Sequence, residues 1–241
     1  KVFAGLCAVE AKIIPLAADF SIDPTEYHRV GGTVFIANPN APTGMALTLP
    51  QIEDILANNR ENLVIVDEAY VDFGAESAVA LTAQYDNLLV VGTFSKSRNL
   101  AGARLGYAIG DNRLIADLNT IKYSFNPYNV NRLTLAAGKA AIEDRQYFSD
   151  CCRKVIETRE FTVNALWAMG FTVLPSKANF IFAKHRRLPG EKYYLRLKEK
   201  DILVRHFADA RICDYVRITI GTREEMVALI ETTKMILEER Q

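Results

Sequence analysis

The sequence predicts an α/β fold, with a mostly parallel sheet domain followed by a smaller α+β domain. Three observations carry that expectation. Short apolar runs alternate with amphipathic helical patterns through the first half of the chain, as in sheets with mostly parallel strands. A long amphipathic stretch, residues 143–169, then reads as a bridging helix. Beyond it, short strand and helix signals mix in the manner of a compact α+β unit. With 241 residues, 49% of them hydrophobic, the chain has the material for one large domain or two small ones.

Taken in order, residues 12–16, 33–37, 62–66, 88–92 and 105–109 are the expected strands of the first unit. Residues 49–57 read as a helix, with Thr48 as its cap and Pro50 in its first turn. Residues 111–120 and 130–142 look helical, and the polar, aromatic segment 123–131 joins them. In the 143–169 stretch, Phe148, Cys152, Val155, Ile156, Val163, Leu166 and Trp167 fall at approximate helical spacing, and Gly170 suits the C-cap. Residues 171–174, 180–183, 202–205 and 216–220 read as short strands, and 192–200 and 224–239 as helices. The expected division is 1–142 and 143–241. The run Glu238-Glu239-Arg240 reads as a solvated helix end.

Composition excludes some classes of function. Twenty-nine basic and 29 acidic residues balance, so charge makes no case for nucleic acid or a membrane surface. No apolar stretch approaches the ~18 residues of a membrane span. Cys7, Cys151, Cys152 and Cys213 have neither metal nor redox spacing and read as reduced thiols of a cytoplasmic protein. His28, His185 and His206 are scattered, and no metal site is expected.

Three segments carry chemistry. In Thr93-Phe94-Ser95-Lys96-Ser97-Arg98, a lysine just past a strand end stands among hydroxyls, with Arg104 eight residues on. That is the layout of a Schiff-base site: an amine nucleophile needs a nearby cation or a dry site to act near neutral pH. Thr93, Ser95 and Arg104 together could hold a phosphate through hydroxyl hydrogen bonds and a bidentate guanidinium. A lysine beside a phosphate clamp suggests pyridoxal phosphate. In Leu63-Val64-Ile65-Val66-Asp67-Glu68-Ala69-Tyr70, Asp67 ends an apolar strand, where open α/β sheets place their ligands. A carboxylate there can keep a pyridine nitrogen protonated, and Tyr70 can donate to a ring phenolic oxygen. The third segment, Val34-Phe35-Ile36-Ala37-Asn38-Pro39-Asn40-Ala41-Pro42-Thr43-Gly44, is a strand stopped by turn residues. Taken singly, each has a plain structural reading: a surface lysine, a cap, a turn.

In this order, and with the later Tyr215-Val216-Arg217-Ile218-Thr219-Ile220-Gly221-Thr222-Arg223, the segments resemble the aspartate-aminotransferase-like, fold-type-I family of pyridoxal-phosphate enzymes over essentially the whole chain. Asn-Pro-Asn-Ala-Pro-Thr-Gly and Val-Asp-Glu-Ala-Tyr-Val-Asp-Phe bring it nearest to the histidinol-phosphate aminotransferase branch. The resemblance implies roles. Lys96 carries the cofactor and shuttles the proton, Asp67 pairs with the pyridine nitrogen, and Tyr70 bonds the phenolic oxygen. Thr93, Ser95 and Arg104 hold the cofactor phosphate. Arg217 matches the family's substrate-anion arginine, and Arg205 looks like a second one for a phosphorylated amino donor. The amine acceptor it implies is 2-oxoglutarate, and the assembly a homodimer with segment 123–131 near the partner. Threonine-phosphate decarboxylases and other aminotransferases share these motifs, and a non-catalytic remnant is the reading from another class.

The sequence departs from the family pattern twice. Ala41 stands where the family carries an asparagine that supports the phenolic oxygen, leaving Tyr70 alone, or Asn38 or Asn40, to make that contact. The family's N-terminal part, with its Gly/Ser-rich helix start and stacking aromatic residue, has no counterpart here, so the chain reads as a fragment incomplete at its N-terminus.

Overall fold

A computed structural model describes residues 2–239; Lys1 and Arg240 of the segments above lie outside them. The helices are α1 (Val2–Leu6), α2 (Leu49–Ala57), α3 (Asn112–Phe125), α4 (Arg132–Glu143), α5 (Arg145–Ala168), α6 (Gly190–Lys198) and α7 (Arg223–Glu238). The strands are β1 (Val34–Ala37), β2 (Val64–Asp67), β3 (Leu88–Thr93), β4 (Gly106–Gly110), β5 (Phe171–Val173), β6 (Phe180–His185), β7 (Arg205–His206) and β8 (Tyr215–Thr219).

The first sheet runs β1-β2-β3-β4; β1, β2 and β3 are parallel, and β4 returns antiparallel along β3. Val34, Ile36, Val64, Val66, Leu88 and Val90 alternate onto one face and pack with Ile52, Ile55 and Leu56 of α2. Thr48 and Gln51 form a capping box at the start of α2, with Pro50 in its first turn. Parallel pairing brings the carboxyl ends of β2 and β3 side by side, so the segments after Asp67 and Thr93 emerge at one edge.

The second sheet, β5-β6-β8-β7, is antiparallel throughout. Its Ile181, Ala183, Val216 and Ile218 face join Leu166 of α5, Leu197 of α6 and Leu229 of α7 in the other large core. The opposite face carries Phe180, Phe182 and Arg217, at alternate positions on paired strands. Arg159 of α5 ties the two sheets' surroundings together. It is buried, and its Nη1 donates to the Phe73 carbonyl after β2 and the Ala178 carbonyl before β6, both at 2.8 Å. Gly44 makes a second tie. Its φ is +77°, and a Cβ there would run into the Ser176 side chain, while its carbonyl accepts the Lys177 amide at 2.8 Å.

Several expectations are corrected. Residues 12–16 form no strand: Pro15 lacks an N–H, and no described strand lies alongside. The 143–169 stretch is not one helix running from Glu143. Asp144 separates α4 from α5; its N–H closes onto Ala140, while its side chain caps the Tyr147 amide at 3.0 Å. The expected strand at 202–205 shrinks to Arg205–His206, because only these residues pair with β8. The helix expected to end at residue 120 continues to Phe125.

Candidate active site

Lys96 sits in the loop after β3, and its Nζ lies 5.3 Å from the centroid of the Tyr70 ring. Tyr70 precedes the 3-10 turn Val71–Phe73, which directly follows β2. Two neighbouring parallel strands therefore deliver the amine and the phenol to one place. Asp67 is the last residue of β2, in register with Val91 of β3. Its Oδ1 accepts the Ala69 amide at 3.0 Å, and among the described residues no cation forms an ion pair with it. The adjacent Glu68 is buried and committed elsewhere. Its carboxylate accepts Ser77 Oγ and the Ala78 amide, both at 2.6 Å, and burial pushes its pKa above the ordinary carboxylate value despite those bonds.

Thr93 and Ser95 meet: the Ser95 amide donates to Thr93 Oγ1 at 3.1 Å, and Thr93 Oγ1 donates to the Leu105 carbonyl at 3.3 Å. Arg104 closes the same loop in the left-handed region, at φ +53°, with an exposed side chain whose Nη1 donates to the Ala101 carbonyl at 2.9 Å. A non-glycine residue held there carries about 1–2 kcal/mol of backbone strain. Asn40 Oδ1 accepts Thr43 Oγ1 at 2.9 Å. Asn38 is spent on the fold: it is buried, its Oδ1 accepting the Leu47 amide at 2.7 Å and its Nδ2 donating to the Leu47 carbonyl at 3.4 Å.

The second sheet supplies two arginines. Arg205 of β7 and Arg217 of β8 are direct cross-strand partners and so project from one face. Like charges directly opposite one another repel, and neither forms an ion pair among the described residues. Arg217 Nε is buried without a hydrogen-bond partner, which is costly unless an acceptor arrives.

Phe180 joins the two halves of the site. Its ring meets Tyr70 edge to face at 5.1 Å between centroids, and the Arg217 guanidinium lies 5.1 Å from the same ring. Lys96, Tyr70, Phe180, Arg217 and Arg205 thus form a contiguous series from the end of one sheet to the face of the other. Sequence reasoning passed over Phe180. Its signal was alternation: residues flanking the core-facing Ile181 point the other way.

The set of donors suits pyridoxal phosphate: an amine, a phenol and a carboxylate at adjoining strand ends, with two hydroxyl residues and a strained arginine in the following loop. The orphaned Nε on a like-charged arginine pair suits a further anion.

Comparison with known proteins agrees with this geometry. Residues 4–232 match the family described as aminotransferase class I and II. The chain is 55% identical over 238 residues to a histidinol-phosphate aminotransferase of Brachyspira hyodysenteriae, covering 98% of this chain and 67% of that one. The fold is similar to the histidinol-phosphate aminotransferase of Clostridium acetobutylicum, with a TM-score of 0.90 and 25% identity over 99% of this chain and 74% of that one. It is also similar to that of Sinorhizobium meliloti in complex with pyridoxal-5'-phosphate, with a TM-score of 0.83 and 23% identity over 98% of this chain and 67% of that one. The chain belongs to the class I and II aminotransferases, a family of fold-type-I pyridoxal-phosphate enzymes.

Proposed function

We propose that the protein transfers the amino group of a phosphorylated amino donor, histidinol phosphate, to 2-oxoglutarate. What carries this reading is the series that joins Lys96 through Tyr70 and Phe180 to an unpaired arginine pair with one buried, unbonded nitrogen. A phosphate dianion is costly to desolvate against one cation and far less so against two. Strong similarity to proteins named for histidinol phosphate supports the same donor.

In this reading Lys96 provides the amine that takes up pyridoxal phosphate, and it later moves a proton between the substrate carbon and the cofactor. When bound, the cofactor supplies an electron sink for the substrate carbanion. Asp67 would hold the proton on the ring nitrogen, Tyr70 would donate to the phenolic oxygen, and Asn40 would give the support that Ala41 cannot. Thr93 and Ser95 offer hydroxyls to the cofactor phosphate. Arg104 gives the charge, and the strain it bears is of the kind that persists at ligand clamps. Arg217 and Arg205 bind the donor's anion. We further infer a division into a cofactor-binding unit, 1–142, and a bridging helix with a small unit, 143–241, in a cytoplasmic homodimer.

The test is the absorption spectrum of the purified protein with added pyridoxal phosphate, beside Lys96→Ala. A visible band that borohydride abolishes and the variant lacks is expected. No band with excess cofactor would sink the reading. Product analysis then separates donors: amine transfer from histidinol phosphate is expected, and release of carbon dioxide from threonine phosphate would replace the transaminase by a decarboxylase.

A further inference from the structure

The loop bearing Lys96 is pinned just after the lysine by two side chains that have no role in the reading above. Ser97, the next residue, is buried, and its Oγ donates to Asp72 Oδ2. Asp72 belongs to the turn Val71–Phe73, whose leading residue is Tyr70. A single hydrogen bond therefore spans the two segments whose side chains, Lys96 and Tyr70, face each other. One residue further on, Arg98 leaves the loop for the helices. Its Nη1 donates to the Ala141 carbonyl of α4 at 2.7 Å, and its guanidinium lies 3.5 Å from the Phe148 ring of α5. Residues 97 and 98 are held to different elements, while Lys96 just before them forms no ion pair among the described residues.

We propose that Asp72 is a positioning residue for Lys96: through Ser97 it fixes the lysine's backbone relative to Tyr70, so that amine and phenol keep one geometry. The bond to a charged acceptor is among the stronger kinds, and it joins a buried hydroxyl to a turn that cannot drift without carrying Tyr70 along. The consequence lies in the reach of Lys96. Misplacing a reacting group by about 1 Å can cost about a hundredfold in rate. This proposal rests on the reading of Lys96 as the cofactor lysine.

The experiment uses the full-length protein and two readouts: the rate at which added pyridoxal phosphate develops its bound absorbance, and the pH midpoint of that absorbance. Asp72→Ala and Ser97→Ala should each slow uptake about tenfold and shift the midpoint. The double variant should be no slower than either single one, because both remove the same bond. Asp72→Asn, which keeps an acceptor oxygen, and Ser97→Thr, which keeps the hydroxyl, should restore both readouts, which a merely structural role for Asp72 would not require. Wild-type uptake in the alanine variants, multiplying effects in the double variant, or no rescue by Asp72→Asn would each overturn the proposal. Should Ser97→Ala fail to fold, Asp72 is exposed, and Asp72→Ala alone still decides. Lys96→Ala runs alongside: if it retains the bound band, the cofactor reading itself has failed, a result distinct from unchanged Asp72 and Ser97 variants.

Discussion

At the scale of single residues, the arginine pair makes the sharpest claim. If Arg217 and Arg205 hold one dianion, Arg217→Ala should lose binding of a phosphorylated donor by about 2–3 kcal/mol, seen as a KM raised about thirtyfold or more. Arg205, the exposed partner, should matter less, and its alanine variant should gain thermal stability in the absence of donor as cross-strand repulsion is relieved. Unchanged KM for the phosphorylated donor in both variants would remove the pair from the site. Glu68 makes a different claim, about pH. Burial raises its folded pKa above the ordinary value of 4.5. The folded state therefore binds the proton more tightly than the unfolded one, and stability falls as pH rises from 4.5 through the raised folded value. Glu68→Gln keeps one acceptor for the Ala78 amide and removes the charge. Urea midpoints at several pH values should show wild type losing stability relative to the variant across that window. A constant difference between the two proteins would refute the assignment. Sequence legibility also divides at this scale. Lys96, Tyr70 and Asp67 each have a plain structural reading alone; the order of their segments, resembling the fold-type-I family, singled them out, and the structure brings Lys96 and Tyr70 together. Phe180 could not be singled out: an apolar residue in a strand looks the same whether it faces a core or bridges a phenol to a guanidinium.

At the scale of elements, α5 is the member to test. Its Arg159 is a buried cation bonded to two carbonyls, Phe73 beside the first sheet and Ala178 beside the second. Removing it orphans both acceptors, each of which then bears a desolvation cost. Arg159→Met should destabilise by about 3 kcal/mol in chemical denaturation, with Arg159→Lys intermediate because an ammonium can donate to both carbonyls but is the more strongly hydrated and costlier cation to bury. A Met variant as stable as wild type would mean that the contact contributes nothing net. The same element marks the limit of sequence reading. Strands of the first sheet were legible because short apolar runs bounded by turn residues read as strands from their length and composition. The boundary at Asp144 was not, since the amphipathic spacing runs on through it, while one aspartate closes α4 and opens α5. Residues 12–16 and 202–205 failed for a related reason. A strand needs a neighbour, which a local pattern cannot supply, and only Arg205 and His206 find one.

At the scale of the whole molecule, the distribution of apolar surface makes the last prediction. The two large cores bury their apolar side chains, yet the end of α3 and the start of α4 present Phe125, Tyr128 and Leu133 at 90%, 92% and 83% exposure. Ile121 and Tyr123 add to the same region, and Phe35 lies open on β1. Large apolar side chains clustered in this way mark an interaction surface more often than a solvated one. Electrostatics offers little opposition to contact: 29 positive and 29 negative groups give a net charge of zero and a pI near 7.0, where repulsion between copies is weakest. The chain at neutral pH should therefore self-associate in sedimentation velocity, and dissociate progressively as pH moves away from 7. Phe125→Ser with Tyr128→Ser should weaken association at least about tenfold, equivalent to about 1.4 kcal/mol, without lowering the unfolding midpoint, because neither side chain is buried within the chain. Monomer at every concentration, or association indifferent to the two substitutions, would move the interface elsewhere and leave these aromatic groups without a partner of the same kind.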